Sequence, residues 1–263
     1  MILEELKDLI EKYKKYLDVF TTPNTARNYL YDLKLFLDYL DEKQIDDIKK
    51  VDSRLIYEYI VYMKTEKGNS SRSINRRINA LKKFFIFLLR ERIITHNPLN
   101  DIKHLKENPR QIQVLSEEKI EELKSKLEEP YKSIFIFLLN TGLRIGEFLS
   151  LIKSPIKISK NAVIVAGKGN RIRQIPLNQT AMDCILRIRE AHQKEKLTYD
   201  KIWKEFKKYG IHPHMVRHTF ATYLLKKGLD IGSVRDLLGH SNIRTTSVYI
   251  DLINPEKIKI PEL

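Results

Sequence analysis

Cysteine, glycine and proline are all scarce in this chain of 263 residues, which contains one, nine and nine of them. The single cysteine, Cys184, excludes an internal disulfide and a cysteine-based metal site, and it favours a reducing, cytoplasmic location. Residues 1–20 carry acids and lysines at helical spacing instead of a signal peptide's basic and apolar regions. The most apolar run, residues 134–139, is far too short to span a bilayer. We therefore expect an ordinary globular protein.

The charge balance is strongly basic. The chain has 48 Lys and Arg against 34 Asp and Glu, which gives a formal net charge of +14. Such an excess favours a polyanionic partner, and nucleic acid is the commonest one. A basic protein without such a partner remains an alternative on charge alone.

The first hundred residues show only helical periodicity. Apolar residues recur every three or four positions in four segments, which predicts four amphipathic helices. Thr22 and Pro23 suit the start of the second helix, Asp52 suits the N-cap of the third, and Ser70 or Ser71 that of the fourth. The sequence therefore predicts a small helical unit at this end of the chain.

A basic stripe follows the outer face of the predicted fourth helix. Arg72, Arg76 and Lys83 share this face at helical spacing and are candidate contacts to a DNA backbone. The alternative is a solvated helix face, which is common for a run of charges. The helical pattern then breaks between residues 96 and 110, where two prolines and several polar residues are typical of a linker. We place the domain boundary there, giving domains of residues 1–108 and 109–263.

The second domain is predicted to be helical except for one hairpin. Residues 162–166 and 171–176 alternate like strands around a glycine-rich turn at 167–170, and residues 156–158 suggest a short third strand. Helices are predicted to begin after Ser116, at Pro130 and, after a glycine break, at residues 143–147, a first turn that contains Arg144. Further helices are predicted over Gln179–Gln193, Tyr199–Tyr209, Pro213–Lys227, Ile231–Leu238 and Asn242–Asp251. The fold class is therefore mainly α, with a small β-hairpin or three-stranded sheet.

Chemically useful side chains are concentrated near the C-terminus. His214 and Arg217 are three residues apart, so a helix places them on one face, where an imidazole and a guanidinium suit a phosphate. Tyr249 offers a hydroxyl that could attack that phosphate covalently. Taken singly each residue has a simpler interpretation: Tyr249 as a packing residue, Lys168 as a solvent-exposed hairpin lysine, and Arg144 as a partner of Glu147.

Four segments, taken in order, resemble the motifs of the tyrosine recombinase/integrase family, especially its compact Xer-like members. They are TGLRIGE at 141–147, GKGNRIRQIPL at 167–177, HPHMVRHTFAT at 212–222 and LLGHSNIRTTSVYI at 237–250. The resemblance implies a two-domain, C-shaped clamp with a helical, SAM-like core-binding domain and a catalytic domain. The catalytic set that it implies is Arg144, Lys168, His214, Arg217, His240 and Tyr249, with Glu147 as a supporting acid. Arg171, Arg173 and Arg244 are further candidate DNA contacts.

The function implied by this resemblance is site-specific DNA recombination. Tyr249 would form a 3′-phosphotyrosine link, so that strands are cut and rejoined without ATP, cofactor or metal. The implied partners are a double-stranded recombination site and further copies of the chain, as a tetramer on two sites linked through the tail at 252–263. The tail could instead pack on its own domain. Chromosome or plasmid dimer resolution is the expected task; an integrase of a mobile element, a type IB topoisomerase-like enzyme and a catalytically silent DNA-binding relative are alternatives.

Overall fold

A computed structural model describes residues 3–107, 112–153, 158–159, 162–166 and 172–239 of the chain. The chain separates into two compact units, residues 1–109 and 110–263. The helix predicted for Asn242–Asp251 and the tail at 252–263 lie outside the described residues.

The first unit is a small bundle of four helices. These are α1 (Leu3–Phe20), α2 (Pro23–Glu42), α3 (Ser53–Thr65) and α4 (Ser71–Arg90), with a short 3₁₀ helix at Ile48–Lys50 between α2 and α3. The predicted caps are present: Asp52 accepts a hydrogen bond from the backbone N–H of Leu55, and Ser70 caps α4. Each cap satisfies an N–H that the first helical turn leaves without a partner.

Aromatic side chains fill the core of this first unit. Phe36, Phe84 and Phe85 are fully buried, and Phe36 meets Tyr59 edge-to-face with ring centres 5.0 Å apart. Edge-to-face contacts of this kind stabilise a core beyond the area that the rings bury. The buried face of α4 is therefore the apolar stripe that its sequence predicts.

The second unit is mainly helical around one small sheet. Its helices are α5 (Glu117–Lys126), α6 (Tyr131–Thr141), α7 (Ile145–Lys153), α8 (Gln179–Lys194), α9 (Tyr199–Lys208), α10 (Pro213–Lys226) and α11 (Ile231–Leu238). The central helix is α6, which packs against both α8 and α10 and buries Ile134, Phe135 and Phe137. The helices predicted over Gln179–Gln193, Tyr199–Tyr209, Pro213–Lys227 and Ile231–Leu238 are present, and their ends differ from the prediction by a residue or less.

Among the residues that the structure describes, the sheet has three antiparallel strands in the order β1 (Ile158–Ser159), β2 (Ala162–Ala166) and β3 (Ile172–Pro176). Val163 pairs with Ile175 and Val165 with Arg173. The predicted hairpin is therefore correct. The third strand was expected at 156–158. Residue 158 lies in the described strand Ile158–Ser159, and residues 156 and 157 lie outside the described part of the chain.

No single helix among the described residues is long and apolar enough to cross a membrane. Helices α6 and α7 pass that test only as a pair bent by 114°. Both contribute buried side chains to the core of the second unit, including Phe137 and Phe148, whose ring centres lie 5.7 Å apart.

Candidate active site

The turn between α6 and α7 places Arg144. Gly142 ends α6 in the left-handed conformation at φ 60°, and α7 begins at Ile145. Arg144 is therefore the N-cap of α7. The sequence had suggested instead that it lies in the first turn of that helix. Its backbone N–H donates to the Glu147 carboxylate at 2.9 Å. In a capping box the side chain of the third helical residue accepts from the N-cap backbone N–H in this way.

Glu147 is a buried carboxylate that accepts four hydrogen bonds. Oε1 accepts from Nη1 of Arg144 at 2.9 Å and Nη1 of Arg173 at 3.0 Å; Oε2 accepts from the Arg144 backbone N–H and Nη2 of Arg173, both at 2.9 Å. Burial raises the pKa of Glu147, but the hydrogen bonds and charges of the two arginines outweigh it and lower the pKa to about 2. Glu147 is therefore ionised at neutral pH.

Arg217 joins three elements from inside the protein. It lies on α10 with its side chain 4% exposed. Nη1 donates to the carbonyl oxygen of Gly142 at 2.6 Å, and Nη2 donates to that of Leu238 at 2.7 Å. Nη1 also lies 3.9 Å from Oε2 of Glu147. The guanidinium is thereby fixed between the end of α6 and the end of α11.

The C-terminal end of α11 receives hydrogen bonds from three arginines. The carbonyl oxygen of Leu237 accepts from Arg173 at 2.9 Å and that of Leu238 from Arg217, while weaker bonds from Arg144 reach Leu238 and Gly239 at 3.3 and 3.4 Å. A helix C-terminus exposes unpaired carbonyls and partial negative charge, so guanidinium groups are favourable there. The arginines therefore hold the segment that leads directly to His240.

His214 and Arg144 line one open pocket on the second unit. His214 is exposed in the first turn of α10, and its ring centre lies 6.5 Å from that of His218. The same pocket is lined by Gly146, Ser150 and Ala166. The Arg144 side chain is 33% exposed, so an anion entering the pocket can reach its guanidinium. The pocket therefore combines a cation with a titratable ring.

Several predicted site residues lie outside the described part of the chain. They are Lys168, Arg171, His240, Arg244 and Tyr249. Their neighbours in sequence do reach the site: Ala166 lines the pocket, and Gly239 accepts a hydrogen bond from Arg144. Of the predicted site, the structure brings together Arg144, Glu147, His214 and Arg217.

Arg173 has a different environment from the one that the sequence suggested. It was expected to contact DNA, but its side chain is only 12% exposed and its guanidinium faces Glu147. The signal that could have found this is strand alternation. Arg173 is two residues from Ile175, which is 2% exposed, so both side chains lie on the inner face of β3.

Of the basic residues predicted on α4, Arg72 and Arg76 are exposed and Lys83 is half-buried. Arg72 donates to Glu107 at 2.9 Å and is 55% exposed. Arg76 pairs with the buried Asp32 and is 44% exposed. Burial raises the pKa of Asp32, although the charges of Arg76 and of a second arginine act against that rise. Lys83 lies 5.8 Å from the ring centre of Tyr16.

Metal-binding side chains do not cluster in the part of the chain that the structure describes: no group of three or more His, Cys, Asp or Glu residues there could hold an ion.

Comparison with known protein families identifies both units. The Phage integrase family matches residues 113–254, more than half of the chain, and the Phage integrase, N-terminal SAM-like domain matches residues 10–92. The chain belongs to the phage integrase family. Within this family it is an Xer-like tyrosine recombinase, an enzyme of site-specific DNA recombination.

Two similar relatives span nearly the whole chain. Tyrosine recombinase XerC of Bacillus pumilus is 32% identical over 262 residues, covering 86% of this chain and 85% of that protein. Tyrosine recombinase XerD of Staphylococcus epidermidis is 29% identical over 280 residues, covering 93% and 94%.

The fold is also that of a solved integrase. The crystal structure of a lambda integrase(75-356) dimer bound to a COC′ core site has a TM-score of 0.75 to this phage integrase family member. The two share 18% identity, and the match covers 97% of this chain and 98% of the other. At this identity the likeness concerns the fold.

Proposed function

We propose that this recombinase cuts and rejoins double-stranded DNA at a specific site through a 3′-phosphotyrosine link to Tyr249. The observation that carries the proposal is the convergence of Arg144, Glu147 and Arg217, which come from two distant segments of sequence and meet at the end of α11. Arg144 lies beside an open pocket, where its guanidinium suits the non-bridging oxygens of a phosphodiester.

In the proposed reaction the phenolic oxygen of Tyr249 attacks phosphorus in line with the 5′-oxygen. The new bond is O–P of the phosphotyrosine, and the bond that breaks joins phosphorus to the 5′-oxygen. His214 accepts the phenol proton, and Lys168 gives a proton to the departing 5′-hydroxyl. The phosphotyrosine conserves the bond energy, so a 5′-hydroxyl can reverse the step and reseal the strand without ATP.

Arg144 and Arg217 would bind the phosphate, and positioning with charge stabilisation supplies most of the catalysis in phosphoryl transfer. His240 would donate a hydrogen bond to the same phosphate. Glu147 would orient Arg144 without touching DNA. The proposed mechanism uses only side chains of this chain.

DNA would be held by both units. The proposal assigns residues 1–108 as a core-binding domain and residues 109–263 as the catalytic domain. Arg72, Arg76 and Lys83 on α4 are proposed contacts to the DNA backbone, and the exposure of Arg72 and Arg76 is compatible with that role. Arg171 and Arg244 are proposed contacts from the catalytic domain.

The proposed task is resolution of chromosome or plasmid dimers in the cytoplasm. It is supported by relatives named XerC and XerD that span most of this chain. The recombinase would act as a tetramer on two DNA sites, with residues 252–263 linking neighbouring subunits.

The test is covalent trapping on DNA. Cellular DNA bound to the protein would be sequenced to find the site, and a nicked duplex of that site would trap the cleaved complex. We expect a protein–DNA adduct with the wild type and with Tyr223→Phe, an exposed tyrosine of α10, but none with Tyr249→Phe. An adduct with Tyr249→Phe would refute the nucleophile. If plasmids that lack the site are relaxed as fast as plasmids that carry two sites, the protein would instead be a topoisomerase.

A further inference from the structure

Each of the three guanidinium nitrogens of Arg173 donates a hydrogen bond inside the second unit. Nη1 and Nη2 bind the two oxygens of Glu147 at 3.0 and 2.9 Å, and Nε donates to the carbonyl oxygen of Leu237 at 2.9 Å. This is the two-pronged arginine–carboxylate arrangement, which fixes geometry as well as charge. A lysine cannot reproduce it, because an ammonium is a single point charge.

The acceptor capacity of Glu147 is filled by two arginines. A carboxylate offers about four lone-pair sites. Two are taken by Arg173 and two by Arg144, through its backbone N–H and Nη1. Arg217 lies close by, with Nη1 3.9 Å from Oε2, and directs that nitrogen to Gly142 at 2.6 Å. Arg173 therefore occupies the sites that would otherwise attract Arg217.

The backbone is adapted to this arrangement at Gly239. This glycine ends α11 at φ 65°, and a Cβ placed there would lie 2.8 Å from Nη1 of Arg173. The missing side chain lets the guanidinium lie against the helix end. Arg173 thus connects β3, the Arg144–Glu147 pair and the segment leading to His240.

We infer that Arg173 is a positioning residue for cleavage: it saturates the Glu147 carboxylate, and so keeps Arg217 on the carbonyl oxygens of Gly142 and Leu238 and Arg144 at the pocket. It does not contact DNA. The inference rests on the proposed function, because it assumes that those two arginines bind the scissile phosphate. Without Arg173 the buried carboxylate would have two vacant acceptor sites, and Arg217 would turn toward it.

The first test separates positioning from DNA contact. Single-turnover cleavage and DNA affinity over a salt series would be measured for Arg173→Met, with Arg187→Met on the exposed face of α8 as a control of equal charge change. We expect Arg173→Met to cleave about 100-fold more slowly than the wild type at saturating DNA, because a small misplacement of reacting groups lowers the rate by about this factor. The slope of the logarithm of the binding constant against the logarithm of the salt concentration should equal that of the control. A slope smaller in magnitude by about 0.9, with unchanged cleavage, would mean a lost phosphate contact and overturn the inference.

The second test asks whether the vacant carboxylate is the cause. Arg173→Met combined with Glu147→Gln removes the charge that would draw Arg217 away, so we expect the double variant to cleave about tenfold faster than Arg173→Met alone, a coupling typical of contacting residues. A double variant as slow as, or slower than, the single one would overturn the inference. Arg173→Lys keeps the charge and should fold, yet it lacks the two-pronged contact and should remain slow; full activity would overturn the inference too.

The third test does not depend on cleavage and therefore distinguishes this inference from the proposed function. In a crystal structure of Arg173→Met, or of Arg173→Lys if the first does not fold, Nη1 of Arg217 should move from 3.9 Å to hydrogen-bond distance, about 2.9 Å, from Glu147. An unmoved Arg217 would refute the positioning role even if Tyr249 proves to be the nucleophile. If Arg217 moves in the variant but the wild-type protein forms no DNA adduct, only the proposed function is refuted.

Discussion

Arg217 donates from Nη1 to the carbonyl oxygen of Gly142 at 2.6 Å, across 75 residues of sequence. The bond exists because Gly142 ends α6 in the left-handed conformation at φ 60° and turns its carbonyl toward α10. The chain then continues directly to Arg144. One glycine thereby sets the relative positions of the two arginines that we propose as the phosphate clamp.

Replacing Gly142 by alanine should destabilise the protein strongly. A left-handed conformation costs a residue with a Cβ about 1–2 kcal/mol. The new Cβ would also lie 2.2 Å from the ring of Phe220, and overpacking of this kind costs about 1–3 kcal/mol more. Gly210→Ala is the matched control, because Gly210 has φ 69° and no atom near its missing Cβ. Urea unfolding should show a larger loss for Gly142→Ala; equal losses would contradict the contact with Phe220.

Stability should depend on acid through Glu147. Its pKa is lowered to about 2 in the folded protein, from 4.5, so its contribution is fully present above about pH 4.5 and is lost as the pH falls toward 2. Between those values the free energy of unfolding should fall by up to about 1.4 kcal/mol per pH unit on account of this one carboxyl. Glu147→Gln should remove that slope.

The measurement is urea unfolding at several values between pH 5 and pH 3. Glu190→Gln, which changes an exposed carboxyl on α8, should retain the wild-type slope. If the free energy of unfolding of Glu147→Gln depends on pH as that of the wild type does, the arginines do not hold the Glu147 carboxyl of the wild type ionised.

Lys168→Ala should slow cleavage only when the leaving group needs a proton. A normal 5′-oxygen requires one, whereas a 5′-bridging sulfur leaves readily as a thiolate; we therefore expect the variant to lose about 100- to 10,000-fold on the first substrate and little on the second. Single-turnover cleavage of the two substrates gives the comparison. Similar losses on both would show that Lys168 acts otherwise than as an acid.

Deleting residues 252–263 should impair assembly on paired sites more than binding to one site. The reason is that the proposed tail contact joins subunits and leaves the groups that hold DNA in place. Gel-shift titration on DNA with one site and with two sites measures both properties. A truncated protein that assembles on two sites as well as the full chain would assign the tail to its own domain.

Much of the secondary structure was predictable from local chemistry. Thr22, Asp52, Ser70 and Ser116 begin helices because their side chains accept a backbone N–H that the helix leaves without a partner. The hairpin follows from alternation on both sides of a glycine-rich turn. These signals lie within a few residues of the structures that they determine.

One local error concerns the start of α7. Arg144 was placed in the first turn of that helix, whereas it is the N-cap. The boundary depends on the Glu147 carboxylate, which accepts a hydrogen bond from the Arg144 backbone N–H. Periodicity alone does not register such a partner.

The sequence by itself determined the family, the order of the four motifs and the identity of the candidate catalytic side chains, because these are matters of residue type and spacing. Only the tertiary structure decided what the arginines bind. Three guanidinium groups compete for one buried carboxylate and the carbonyls of one helix end. Which of them is paired inward, as Arg173 is, and which remains open to a ligand, as Arg144 is, depends on distances between segments that are far apart in the chain.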